Sequence, residues 1–179
     1  MNAMKPFYDK DGVILHCGDN CEVMRGLPGE SIDLVVTSPP YDDLRTYGGH
    51  SWDFEGVAAQ LTRLLKPGGV IVWIVNDQTI NGSETGTSMR QALHFMSLGL
   101  NLHDTMIWRK AGCPFPETNR YYPVFEFMYV LSRGKPSSCK LICDRENIGA
   151  GRIVSGTDRQ QNGTTLPCNS VKRGLNKLI

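Results

Sequence analysis

The chain has 179 residues, 40% of them hydrophobic and 21% charged, which suits one folded domain and excludes a disordered tail or a disulfide-stapled mini-protein. Its formal net charge of +1 conceals an asymmetry: residues 1–108 hold 7 Lys and Arg against 13 Asp and Glu, and residues 109–179 hold 12 against 5. A basic part beside an acidic one hints at nucleic-acid contact, although a charged surface can also be merely solvated.

No run of 18 apolar residues is present, so no membrane partner is expected. Lys5, Asp9, Lys10 and Asp11 interrupt the N-terminus before a signal-peptide core could form, and the expected location is cytoplasmic. There the six cysteines, Cys17, Cys21, Cys113, Cys139, Cys143 and Cys168, would be free thiols. The C-x-x-x-C spacing of Cys17/Cys21 and Cys139/Cys143 is looser than a zinc knuckle and has no nearby His pair, so no metal site is expected. Cys17 reads as a core strand residue.

In chain order, Val13 to Cys17 reads as a short buried strand ended by Gly18-Asp19. Asp19 or Asn20 can cap a short helix carrying Val23, Met24 and Leu27 on one face, closed by Leu27-Pro28-Gly29. Ile32 to Val36 is a second buried strand that runs directly into Thr37-Ser38-Pro39-Pro40-Tyr41. Proline has no backbone N–H and fixes φ, so Pro39-Pro40 must end the ladder and impose a rigid loop.

Apolar residues at 54, 57, 58, 61, 64 and 65 follow helical spacing, and Lys66-Pro67-Gly68-Gly69 stops that helix before a buried strand over Val70 to Val75. Asp77 to Gly86 reads as a mobile loop, after which Thr87 or Ser88 can cap a helix bearing Ala92, Leu93, Phe95 and Met96. Leu102 to Trp108 and Val124 to Leu131 are the last strand candidates, joined by the basic, proline-rich loop Arg109-Lys110-Ala111-Gly112-Cys113-Pro114-Phe115-Pro116. Beyond Ser132 the periodicity dissolves.

Alternating strands and helices predict an α/β fold with a mostly parallel sheet, and the helix-free last connection predicts an antiparallel pair at one edge. Such sheets bind ligands beyond the C-terminal ends of their strands, where Gly18-Asp19 and Ser38-Pro39-Pro40-Tyr41 would both lie.

The Ser38-Pro39-Pro40-Tyr41 loop offers specific chemistry. The Pro39 carbonyl and Ser38 hydroxyl can accept hydrogen bonds from an incoming amino group, and Tyr41 adds a flat ring for stacking. An aromatic amine is a poor nucleophile because its lone pair is delocalised. Acceptors that hold its hydrogens out of the ring plane favour the tetrahedral nitrogen of an alkylation transition state. A Pro-Pro turn can equally be a simple chain terminator.

In context, Asp33-Leu34-Val35-Val36-Thr37-Ser38-Pro39-Pro40-Tyr41 preceded by Gly18-Asp19 resembles the amino-methyltransferase family of S-adenosylmethionine-dependent DNA methylases. Leu64-Leu65-Lys66-Pro67-Gly68-Gly69-Val70-Ile71-Val72 is similar to the family's next helix-turn-strand, and so are Ile107-Trp108-Arg109-Lys110 and Phe125-Glu126-Phe127-Met128-Tyr129 to its late strands. The resemblance covers about residues 13–135 and implies a partial Rossmann-like methyltransferase sheet. Residues 1–135 would be part of a catalytic domain, and residues 136–179 the start of a target-recognition region.

The resemblance further implies methyl transfer from S-adenosylmethionine to the exocyclic amine of an extruded base in DNA. Ser38 and Pro39 would hold the amine, with Pro40 stiffening the loop and Tyr41 stacking on the base. Serine in the first motif position leans towards cytosine N4 over adenine N6. Asp19 would contact the adenine part of the cofactor, unless it is only a helix cap. Arg109 and Lys110 would contact DNA phosphate, unless they form a solvated loop. The expected partner is DNA, with room for a homodimer.

One family feature is missing. The cofactor motif Phe-x-Gly-x-Gly is absent, and Gly149-Ala150-Gly151 lacks both the Phe and a preceding strand, so the chain reads as an N-terminal portion. A non-catalytic DNA-binding fragment is the alternative. The same reaction on a protein glutamine amide fits less well, since the motif there begins with Asn.

Overall fold

A computed structural model describes residues 5–42, 52–112, 120–121, 123–139 and 153–171. The chain divides into two compact units, Met1–Ser138 and Cys139–Ile179. The loop expected over 113–116, Cys143, and Gly149 to Gly151 lie outside the described residues.

The first unit opens with a hairpin, β1 (Tyr8–Lys10) against β2 (Val13–Leu15), with Tyr8 opposite Leu15. Asp11 and Gly12 form its two-residue turn at φ 54° and 77°, the left-handed pair that such hairpins require. The Val13 segment therefore pairs locally and does not enter the main sheet, contrary to expectation, and Val13, Ile14 and Leu15 are exposed. Cys17 is likewise exposed, whereas Cys21 is buried.

Helix α1 (Asn20–Gly26) starts as anticipated: Asp19 Oδ1 accepts the Glu22 N–H at 3.0 Å. Strand β3 (Ile32–Thr37) follows, then α2 (Phe54–Leu64), capped by Asp53 through the Gly56 N–H at 2.9 Å. Arg63 of α2 donates to the Met24 and Leu27 carbonyls at 2.7 and 3.1 Å, fastening α1 to α2.

Strand β4 (Leu65–Val75) begins five residues before the expected Val70. Ile32 faces Leu65, yet Leu34 already faces Val70, so Lys66-Pro67-Gly68-Gly69 bulges from the ladder. Gly68 sits at φ 78°, and a Cβ there would meet Ser137 Cβ at 3.0 Å.

The expected mobile loop after β4 is instead a small hairpin, β5 (Thr79–Ile80) against β6 (Ser83–Glu84). Its turn is Asn81-Gly82, at φ 50° and 80°, a hairpin signal that overrides the segment's polarity. Helix α3 (Thr87–Ser97) then begins behind Gly86, so neither Thr87 nor Ser88 is the cap. Asp77 substitutes from outside the helix, accepting the Ser88 N–H at 2.8 Å and its hydroxyl at 2.7 Å. Within α3, Ala92 and Phe95 are buried as expected, but Leu93 and Met96 are exposed, and Ser88 and Gln91 take the inner face.

Strands β7 (Asn101–Arg109) and β8 (Phe125–Ser132) complete a four-stranded sheet of order β3-β4-β8-β7. Of its pairings β3–β4 is parallel, and β4–β8 and β8–β7 are antiparallel. The antiparallel edge pair is as predicted. The mostly parallel sheet is not found among the described residues, because β8 inserts between β4 and β7 and β2 stays outside.

One face of this sheet carries Ile71, Trp73 and Val75, packed against Val57, Ala58 and Leu61 of α2 and Phe95 of α3. Trp73 and Phe95 meet edge to face at 5.0 Å, and the Trp73 indole donates to the Gln91 amide oxygen at 2.9 Å in the buried core. On the opposite face Ile74 of β4 is buried, whereas the edge strand β3 is not. Leu34 and Val36 of β3 are about 60% exposed, so β3 is not the fully buried strand its composition predicts.

In the second unit β9 (Ile153–Arg159) and β10 (Thr165–Val171) form an antiparallel hairpin.

Candidate active site at the end of strand β3

Strand β3 ends at Thr37, which lies opposite the buried Trp73, so the start of the next loop is tied to the core. Pro39 is buried and Ser38 is exposed, which presents the hydroxyl from a fixed backbone. Ser38 Oγ lies 2.7 Å from Tyr41 Oη, and Tyr41 Oη donates to Glu126 Oε2 at 3.0 Å. Lys110 Nζ reaches the other oxygen of that carboxylate, Oε1, at 2.6 Å. Residues of β3's loop, β8 and the segment after β7 thus form a chain of four side chains.

The Tyr41 ring also leans on the hydrophobic core. Glu126 is largely buried, its side chain 15% exposed, whereas Lys110 is about half exposed. Asn76, just after β4, donates to the Phe125 carbonyl at 3.3 Å, and the Lys110 N–H donates to the Val124 carbonyl at 2.8 Å. Both bonds fix the start of β8, and so the height of Glu126.

Asp42, directly after Tyr41, anchors the far end of the loop. Its Oδ1 accepts from the Thr87 hydroxyl at 2.6 Å, and its Oδ2 from the Thr85 hydroxyl at 2.7 Å and the Gln78 N–H at 3.2 Å. Partial burial opposes ionisation, but these donors and the Arg90 charge outweigh it and hold the carboxyl below its ordinary range. An open cleft of about 610 Å³ adjoins Asp42 and is walled by Trp52, Phe54, Arg90 and His94.

The predicted site residues separate into groups. Ser38, Pro39, Pro40 and Tyr41 are contiguous, and Lys110 joins them through Glu126. Arg109 is exposed at the end of β7. Asp19 is exposed and caps α1 with one carboxylate oxygen. Sequence reasoning did not assign roles to Asp42, Asp77 or Glu126. For Glu126 a signal existed: an acid at the centre of Phe125-Glu126-Phe127, in a strand otherwise apolar, requires a partner if it is buried. No described helix is long and apolar enough to cross a membrane.

The chain is similar to known proteins in sequence and fold. A DNA methylase family model, N6_N4_Mtase, matches residues 32–172. The orphan methyltransferase M.BamHII of Bacillus amyloliquefaciens is 58% identical over 135 residues, covering 74% of this chain and 51% of the relative. The type II methyltransferase M.SmaI of Serratia marcescens is 27% identical over 161 residues, covering 66% and 55%. The chain thus spans about half the length of these curated relatives.

Among solved structures, the PvuII DNA methyltransferase, described as cytosine-N4-specific, superposes with a TM-score of 0.57 at 24% identity, over 68% of this chain and 49% of that one. A candidate DNA modification methylase of Thermus thermophilus, complexed with S-adenosyl-L-methionine, gives 0.53 at 26% identity, over 70% and 56%. The proline-proline loop at the strand end, the family match across most of the chain and the 58% identical relative lead to one conclusion: this chain belongs to the N6/N4 DNA methylase family.

Proposed function

We propose that the chain carries the amine-binding half of an S-adenosylmethionine-dependent DNA methyltransferase that acts on cytosine N4, with adenine N6 as the second candidate. The carrying observation is the Ser38 hydroxyl, presented by a proline-stiffened loop and tied to Tyr41 at 2.7 Å. In this reading residues 1–135 belong to the catalytic domain and residues 136–179 begin target recognition.

S-adenosylmethionine would supply an electrophilic methyl group on a sulfonium centre. The fit of this chain's residues to it rests on Asp19: the helix cap occupies Oδ1, so the exposed carboxylate keeps an oxygen for the adenosine end. Every other role falls to the loop and its surroundings. The target base must leave the duplex stack, because a paired amine cannot reach a bound donor. Ser38 Oγ and the Pro39 carbonyl then accept the two amine hydrogens, which localises the nitrogen lone pair towards the methyl group. Partly buried Tyr41 offers a ring face to the base, and Arg109, outside the core, meets phosphate.

The alternative is a non-catalytic, DNA-binding role for these residues. Calorimetric titration of the chain with S-adenosylmethionine separates the two readings. Saturable heat, diminished in Asp19→Ala, supports the methyltransferase; no heat with a folded chain supports the alternative.

A further inference from the structure

We propose that Glu126, braced by Lys110, is a positioning residue that fixes the direction of the Ser38 proton and so makes Ser38 an acceptor towards the amine. This deepens the amino-methyltransferase reading above and rests on it.

The argument is a count of protons along the chain Ser38–Tyr41–Glu126–Lys110. A carboxylate oxygen can only accept, so the single Tyr41 phenol proton goes to Glu126 Oε2. Tyr41 Oη must then accept in its 2.7 Å contact with Ser38, which makes Ser38 the donor. The one Ser38 hydroxyl proton is thereby spent inwards, towards Tyr41. Only lone pairs remain on the outward side of Ser38 Oγ, which is what an incoming amine, itself a donor, requires.

Lys110 completes the device. Its ammonium, a pure donor, lies 2.6 Å from Glu126 Oε1, so it keeps that side of the carboxylate an acceptor and the other oxygen on Tyr41. Glu126 is 15% exposed, and few waters can reach it to offer an alternative pattern. Lys110 was expected at DNA phosphate; the structure gives its ammonium this inward partner.

Replacing Glu126 by Gln alters one group without changing shape. Next to Lys110 the amide must present its oxygen to the ammonium, which leaves its NH2 facing Tyr41. Tyr41 then accepts from the amide and donates to Ser38, and the Ser38 proton turns outwards, where donor meets donor. Exchanging Lys110 for Met as well frees the amide to rotate, so that its oxygen again accepts from Tyr41.

The test uses the full chain with DNA and saturating S-adenosylmethionine. Glu126→Gln should lower kcat by about 10²-fold, the scale of losing one preorganised dipole. KM for DNA should stay within about twofold, since no DNA contact is removed. Lys110→Met in the same chain should recover at least about tenfold of the lost kcat. A merely structural role, or a phosphate contact at Lys110, predicts that the double variant is worse than the single one.

A second readout needs no turnover. In protein labelled at tyrosine Cζ, the Tyr41 carbon resonance, assigned with Tyr41→Phe, should shift in Glu126→Gln and return towards the native position in the double variant. An unchanged kcat in Glu126→Gln, or a double variant that recovers neither rate nor resonance, overturns the inference. If the unaltered chain transfers no methyl group, the functional reading fails for it and the resonance alone decides the proton arrangement.

Discussion

Ser38→Ala is expected to lower methyl transfer by about 10²–10³-fold, the cost of removing one preorganised hydrogen-bonding group from a reacting centre. The reason lies in what the amine loses. An exocyclic amine has two hydrogens, and with Ser38 gone the Pro39 carbonyl can hold only one, so the nitrogen stays closer to planar and its lone pair stays delocalised. Stability should change by no more than about 0.5 kcal/mol, because Ser38 is exposed and Tyr41 keeps its bond to Glu126. Single-turnover rates and melting temperatures, measured together, check both parts. An unchanged rate would remove Ser38 from the reaction, and a large fall in melting temperature would make its role structural.

The second large effect concerns the other end of the loop. Asp42→Ala should destabilise the fold by about 2 kcal/mol, since two threonine hydroxyls and one backbone N–H lose a charged acceptor, and water restores part of the loss at this half-buried position. Asp42 also sits at φ 45°, a left-handed conformation that aspartate tolerates better than alanine. The effect carries a pH signature. Burial alone would raise the Asp42 pKa, but the bonds from Thr87, Thr85 and Gln78 and the Arg90 charge lower it on balance.

A carboxyl whose pKa is lower in the folded chain stabilises it fully above the unfolded value of about 3.9, and the contribution is lost as pH falls through the folded value. Urea denaturation should therefore show the native chain and Asp42→Ala well separated near neutrality and converging in acid. A gap that does not narrow below about pH 4 would mean that the alanine acts through backbone strain alone. Because Asp42 follows Tyr41 directly, the variant should also slow the proposed methyl transfer by loosening the loop after β3.

Much of this site was legible in the sequence because local chemistry dictates it. Pro39-Pro40 must end a strand, Asp19 is suited to cap a helix, and the residues at 54, 57, 58, 61 and 64 can share one helical face whatever the rest of the chain does. The errors arose where pairing is decided by turns or by distant strands. Val13 to Leu15 looks like any buried strand until Asp11-Gly12 is recognised as a hairpin turn, and Asn81-Gly82 likewise converts a polar stretch into β5 and β6. The mixed sheet was hidden for another reason. Strand order is set by contacts between segments far apart in sequence, and β8 reaches β4 across some 50 residues.

The same distance concealed the support of the site. Glu126 lies 85 residues from Tyr41, and Asp42 binds Thr85 and Thr87 more than 40 residues away. No spacing rule links such positions. Only a buried acid in an apolar strand, or a loop acid with no helix to cap, signals that a partner must exist.

The central claim, that the loop after β3 presents an exocyclic amine for methylation, is tested most directly by the nucleosides it produces. DNA incubated with the chain and isotope-labelled S-adenosylmethionine is digested and analysed by mass spectrometry. The account predicts label in N4-methylcytosine, strongly reduced in Ser38→Ala. Label in N6-methyladenine would keep the amine chemistry and change the base, whereas label only at a ring carbon, or equal label with Ser38→Ala, would contradict it.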